Sequence, residues 1–166
     1  MPLTYRPDDY GTSNLGSVPN GSWQSLSDQF ATVADDEYIV SFNSTDFERY
    51  VLLQDTNKIR VSQTGLYNIQ YAVQFHNSGG GGTNAHAHLW FKKNGTAVDE
   101  SGIRQSVTTN SAYQVASRDF YLTLNTNDYI QLAWSVNHTN ISLYHEAASG
   151  VVPVVPSVVL TIGQVG

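Results

Sequence analysis

The residues Asn84 to Gly95, NAHAHLWFKKNG, put two histidines, a tryptophan and two lysines into one short stretch. Such a set can bind a metal, grip a nucleic acid or move protons. It can equally be the outer face of a strand. Ala85, Ala87, Leu89 and Phe91 alternate with His86, His88, Trp90 and Lys92, which is the period of a strand with its apolar set turned inward. His86 and His88 then share a face, where two imidazoles can chelate a metal. His76 and His138 are the further candidates. Two ligands do not make a site, and exposed strand residues are the expectation. Trp90 beside the histidines suits contact with a partner or receptor, because an indole buries a large area.

Other chemistry has less to stand on. No Gly-x-Ser-x-Gly elbow and no His-Glu-x-x-His pair occurs, so no catalytic residue is assigned and the chain is read as no enzyme. The run Gly79 to Gly82 has no Gly-Lys-Ser/Thr after it; it reads as a flexible loop, not a phosphate cradle. Ala34 to Tyr38, ADDEY, holds three adjacent carboxylates in an apparent turn. Solvated charge is the ordinary account. Calcium held by Asp35, Asp36 and loop carbonyls is the one cofactor kept open. No other cofactor and no metal ligand set is assigned.

Composition narrows the classes further. The chain has 166 residues, no cysteine and a formal charge of −6. That length fits one domain with a core that needs no disulfide. The acidic balance speaks against a nucleic-acid partner, which needs a basic face. Neither a secretory leader nor a membrane-inserting span is expected from the N-terminal residues. Acceptor triplets begin at Asn43, Asn94, Asn137 and Asn140, but they matter only in a secretory pathway.

The elements that must position these residues are strands. Tyr67, Ile69, Tyr71, Val73 and Phe75 alternate with Asn68, Gln70, Ala72 and Gln74, which excludes a helix there. WQSLSDQFA, YIVSF, RYVLLQ and KIRVS read as strands, the last two joined by a turn at Asp55-Thr56-Asn57. Asn94-Gly95 marks a hairpin into TAVDES. YQVASRDFYLTL turns Phe120, Leu122 and Leu124 to one side. DYIQLAWSV turns Ile130, Leu132, Trp134 and Val136 inward and Tyr129, Gln131, Ala133 and Ser135 outward. ISLYHE follows, and SVVLTIGQV closes the chain without revealing its buried face. Residues 1–20 hold three of the five prolines and little apolar material, and read as an extended N-terminal arm. The whole is all-β, a sandwich or a barrel over residues 21–166.

Four stretches come in a telling order: TGLYNIQYAVQF, HLWFKKNG, LTLNTNDYIQLAW and PSVVLTIGQV. Together they resemble the C1q/tumour-necrosis-factor jelly roll. The Asn- and Thr-rich flavour, with FNSTD, KNGT and NDYIQL, is similar to the versions in bacteriophage and other viral structural proteins. The resemblance implies a ten-stranded antiparallel jelly-roll sandwich that assembles as a homotrimer. It further implies that the strands of Gln70 and Gln131 lie in the sheet facing the threefold axis. Asn68, Gln70, Ala72, Gln74, Tyr129, Gln131, Ala133 and Ser135 would then meet across subunits, small residues and amides suiting a symmetric contact.

The expectation is a non-enzymatic phage structural protein on the virion exterior. A trimeric decoration, or cement, protein is the main form of it. Its arm would reach the major capsid protein through Tyr5, Arg6, Tyr10 and Leu15. The alternative is a head- or tail-fibre tip that binds a host surface glycan through Trp90, its neighbouring histidines and the Gly79 to Gly82 loop.

Overall fold

The computed structural model describes residues 18–79, 81–109 and 113–166; the four arm residues singled out above lie outside them. Its strands are β1 Asn20–Ser25, β2 Gln29–Phe30, β3 Tyr38–Ile39, β4 Ser44–Arg49, β5 Val51–Gln54, β6 Lys58–Val61 and β7 Gly65–Asn77. They continue as β8 His86–Lys93, β9 Thr96–Ala97, β10 Ile103–Ser106, β11 Tyr113–Leu124, β12 Tyr129–Val136, β13 Ile141–Leu143 and β14 Val158–Gln164. All pairings between these strands are antiparallel. The first sheet runs β11-β7-β14-β1-β4, with β13 and β2 beside the far end of β7. The second runs β10-β8-β12-β6-β5, with β3 on β12 and β9 on β8. Ten strands thus carry a jelly-roll sandwich, and the four short ones β2, β3, β9 and β13 are attached to it.

The core follows from alternation. Tyr67, Ile69, Tyr71, Val73 and Phe75 of β7 are buried, as are Ala87, Leu89 and Phe91 of β8. The last strand, whose apolar run concealed its inner face, buries Val158, Leu160 and Ile162, because each is in register with an inward residue of β7. The chain changes sheets at Tyr50, whose φ of 53° turns β4 into β5. Asp55 and Thr56 take φ of 50° and 62° in the β5–β6 turn, and the amide of Phe42 donates to Thr56 O at 2.7 Å. That bond helps hold a β-branched residue in a backbone region it rarely enters.

Several strand readings are shorter than the sequence suggests. WQSLSDQFA breaks after Ser25, because side chains take over the backbone's partners: Asn43 Oδ1 accepts from Leu26 N and Asp28 Oδ1 from His145 N. YIVSF keeps only Tyr38–Ile39 as strand and TAVDES only Thr96–Ala97. Two strands escape the sequence reading, β4 and β10. Each holds an outer position in its sheet, where polar and charged residues mask the period.

The implied trimer set needs a correction. β7 pairs with β11, β13 and β14 in the first sheet, whereas β12 pairs with β3, β6 and β8 in the second. The outward faces of a sandwich point away from each other. Asn68, Gln70, Ala72 and Gln74 therefore cannot share one axis with Tyr129, Gln131, Ala133 and Ser135. Alternation assigns a face to a residue but not a sheet to a strand. Gln131 and Ala133 are also covered, at 8% and 0% exposure. Ala133 lies in register between Trp90 and Ile39, a small residue between two large ones. Gln131 lies beside Lys92 and donates to Asn57 Oδ1 at 3.2 Å.

Candidate functional site

The outward residues of β8 lead to a shallow groove of about 730 Å³ on the second sheet. His88 and Trp90 line it, with Ser135 of β12 in register with His88. The opposite wall is the 98–102 loop and the start of β10, bringing Val98, Ile103 and Arg104. Asp99 and Glu100 form an exposed rim. Sequence reading found His88 and Trp90 but not this wall, because β10 and its loop show no period.

The wall is fixed from beneath. Ser101 is fully buried; its Oγ accepts from Phe91 N at 2.9 Å and donates to Val98 O at 2.7 Å. Arg118, on β11 of the other sheet, donates to Gly102 O at 2.8 Å and Glu100 O at 2.9 Å. Its guanidinium also lies 5.3 Å from the Phe120 ring centre. Glu100 is thereby held at φ 61°, a costly conformation for a residue other than glycine. Arg118 thus uses its charge on backbone carbonyls and presents the rim carboxylates to solvent.

His86 does not line the groove. Its Nδ1 lies 2.7 Å from Asn84 O and 3.2 Å from Arg104 Nη2. The carbonyl contact needs a proton on Nδ1 and the Arg104 contact a lone pair there, so the tautomer selects one of the two. The exposed Arg104 guanidinium has five N–H donors, so others stay available for another acceptor. The His88 imidazole titrates below its usual range. Burial is the main cause, followed by His86 and Arg104, so the neutral ring is favoured.

The metal candidates separate. His86 and His88 have ring centres 5.0 Å apart. His76 belongs to the first sheet, stacked on Tyr113 at 4.8 Å and tilted against Tyr144 at 5.0 Å. His138 is packed against Gly81, where an added Cβ would come within 2.4 Å of the imidazole. The glycine run thus includes a close-approach position at Gly81, at φ 78°; Gly80 is outside the described residues. Asp36 Oδ1 accepts from Glu37 N, and Glu37 pairs with Lys92. Among the described residues, no group of three His, Asp or Glu side chains is placed to hold a metal ion.

The first sheet has a second distinctive surface. Tyr113, Val115 and Tyr121 of β11 point outward at 53%, 61% and 59% exposure. Beside them Gln70 and Ala72 of β7 are open, while Asn68 donates to Asp119 and Gln74 to Tyr144 O. Tyr129 lies on the other sheet under two cations, Arg60 at 5.5 Å and Lys58 at 5.7 Å.

The fold is the tumour-necrosis-factor-like jelly roll. Three crystal structures of murine APRIL share it, with TM-scores of 0.57 at pH 5.0, 0.58 at pH 8.5 and 0.59 at pH 8.0. Identities are 13%, 15% and 14%, over 89% of this chain and 99% of those chains. No protein-family model and no curated protein matches the sequence. No helix among the described residues is long and apolar enough to cross a membrane.

Proposed function

We propose that this chain is a non-enzymatic structural module that assembles as a homotrimer through the outward face of its first sheet and decorates the exterior of a virion. The observation that carries self-assembly is the outward face of the sheet-edge strand β11, where Tyr113 and Val115, and Tyr121 beyond Ser117 and Asp119, stand at 53% to 61% exposure. Large apolar groups lined up on an edge strand favour association, and an unprotected edge is otherwise a hazard. The axis-facing set is Gln70, Ala72 and these β11 residues; Tyr129, Gln131, Ala133 and Ser135 do not take part.

The virion assignment rests on the sequence resemblance to phage structural proteins. In this reading the arm contacts the major capsid protein through Tyr5, Arg6, Tyr10 and Leu15, and binding only the assembled shell stabilises it by linkage. Three arms per trimer add avidity. Deleting residues 1–17 should abolish co-sedimentation with undecorated shells and leave the trimer mass unchanged in light scattering. A truncated protein that still coats shells would sink the arm model. The groove at His88 and Trp90 favours a second reading, a fibre tip that contacts a host glycan; binding to susceptible cells without binding to shells would select it.

A further inference from the structure

We infer that the groove between β8 and the 98–102 loop is a binding site for a neutral hexose residue of a glycan. This deepens the glycan-contact reading of the same groove, on which it rests, by naming the class of sugar; it is independent of the trimer, because the groove lies on the sheet opposite the proposed self-association face.

A hexose is amphiphilic: one face is a patch of C–H groups and its edge is a ring of hydroxyls. The groove offers matching parts. Trp90, half-buried on the outward face, supplies the apolar floor, and only the edges of Val98 and Ile103, whose side chains pack on the core, border it. The rim supplies acceptors on Asp99 and Glu100 and donors on Arg104, all exposed. A neutral His88 adds one donor and one acceptor. Sites of this kind fix a ligand with a few convergent polar groups on an apolar surface.

Charge and rigidity narrow the ligand. Two rim carboxylates against one guanidinium leave the rim at about −1 when His88 is neutral. A sialylated or phosphorylated sugar would meet that charge unfavourably, and a neutral ring would not. The loop is also held before any ligand arrives. Ser101 and Arg118 tie its backbone to β8 and β11, so little ordering remains to be done on binding. Glu100, at φ 61°, is the third residue of the turn that Ser101 N closes on Val98 O at 3.3 Å, so the rim carboxylates are placed by the chain itself.

The test uses the full chain and the indole signal of Trp90 in a nitrogen-15 NMR titration. Trp23 and Trp134 are at most 1% exposed, so the three indole signals are distinguishable, and Trp90→Phe assigns the third. The probes are the methyl glycosides of glucose, galactose, mannose and N-acetylglucosamine, with sialyllactose as the charged comparison. At least one neutral glycoside should shift the Trp90 signal saturably at about 50 mM, above a millimolar dissociation constant. Trp90→Ala and Glu100→Gln, each with a native-like core spectrum, should weaken the binding of that probe, read from backbone amides of β8 and β10, by about tenfold. Tyr113→Ser, on the other sheet, should leave it unchanged. If no neutral glycoside moves the signal, or sialyllactose binds best, the inference is overturned. Equal binding by Glu100→Gln and the parent would overturn the assigned rim. Light scattering of the same samples reports assembly separately.

Discussion

Asp128 ties together two turns that the sequence presents as separate. Its Oδ1 accepts from Asn94 Nδ2 at 2.7 Å, and its Oδ2 accepts from Asn125 N at 2.8 Å and pairs with Lys93 at 3.0 Å. Asn94 in turn accepts from Tyr129 N at 3.0 Å and donates its own amide to Tyr129 O at 2.9 Å. Burial works to raise the Asp128 pKa, but the bonds from Asn125, Asn94 and Lys93 together hold it below its usual value. A carboxyl with a depressed folded pKa contributes stability above its unfolded value, lost as pH falls through the folded one. Asp128→Asn should therefore lower stability by about 2 kcal/mol at pH 7. The difference from the parent should shrink as pH drops below about 4, in denaturant titrations across that range. A difference that stays constant with pH would refute the charge assignment. The turn at Asn94-Gly95 was legible from its dipeptide, and Asn125 to Asp128, between two periodic strands, carries the residues of another. Their mutual lock was not legible, because it joins positions 34 residues apart.

At the scale of elements, alternation identified the long strands and their inner faces: β7, β8 and β12 bury the residues it selects. It could not sort strands between sheets, so it offered no check on the resemblance that put Gln70 and Ala133 on one axis. The two positions now predict opposite failures. Ala133 has 0% exposure between its in-register neighbours Trp90 and Ile39. Ala133→Arg must place a charge where no room exists and should destabilise the fold by about 3 kcal/mol or more. Gln70 is exposed. Gln70→Lys should leave the unfolding midpoint of the isolated subunit near the parent's and yet reduce the assembled mass, as three ammonium groups approach one axis. Denaturation and light scattering on both variants separate the cases. An Ala133→Arg protein that folds normally would remove the covering argument, and a Gln70→Lys protein of unchanged mass would remove this residue from the interface. The groove was half legible for a related reason. His88 and Trp90 stand on a long periodic strand, while Asp99, Glu100 and Arg104 belong to a loop and a four-residue outer strand whose placement depends on buried Ser101 and on Arg118 from the other sheet.

For the whole molecule, the decisive quantity is how stability depends on concentration. The two surfaces differ in what they ask of assembly. The groove is complete within one chain. The β11 face leaves Tyr113, Val115 and Tyr121 more than half exposed, and in the trimer reading other copies remove them from water. If folding and trimerisation are linked, the melting temperature must rise with protein concentration, because mass action favours the state that binds itself. Val115→Asp adds a charge beside Tyr113 in that row, where three copies would repel one another in a surface losing its water. It should abolish the concentration dependence while leaving the unfolding of dilute protein nearly unchanged, since Val115 is 61% exposed within the chain. Scanning calorimetry over a hundredfold range of concentration checks both. A parent protein whose melting temperature does not move would refute linked self-association through the β11 row, and the virion reading would then lose its trimer but keep its arm.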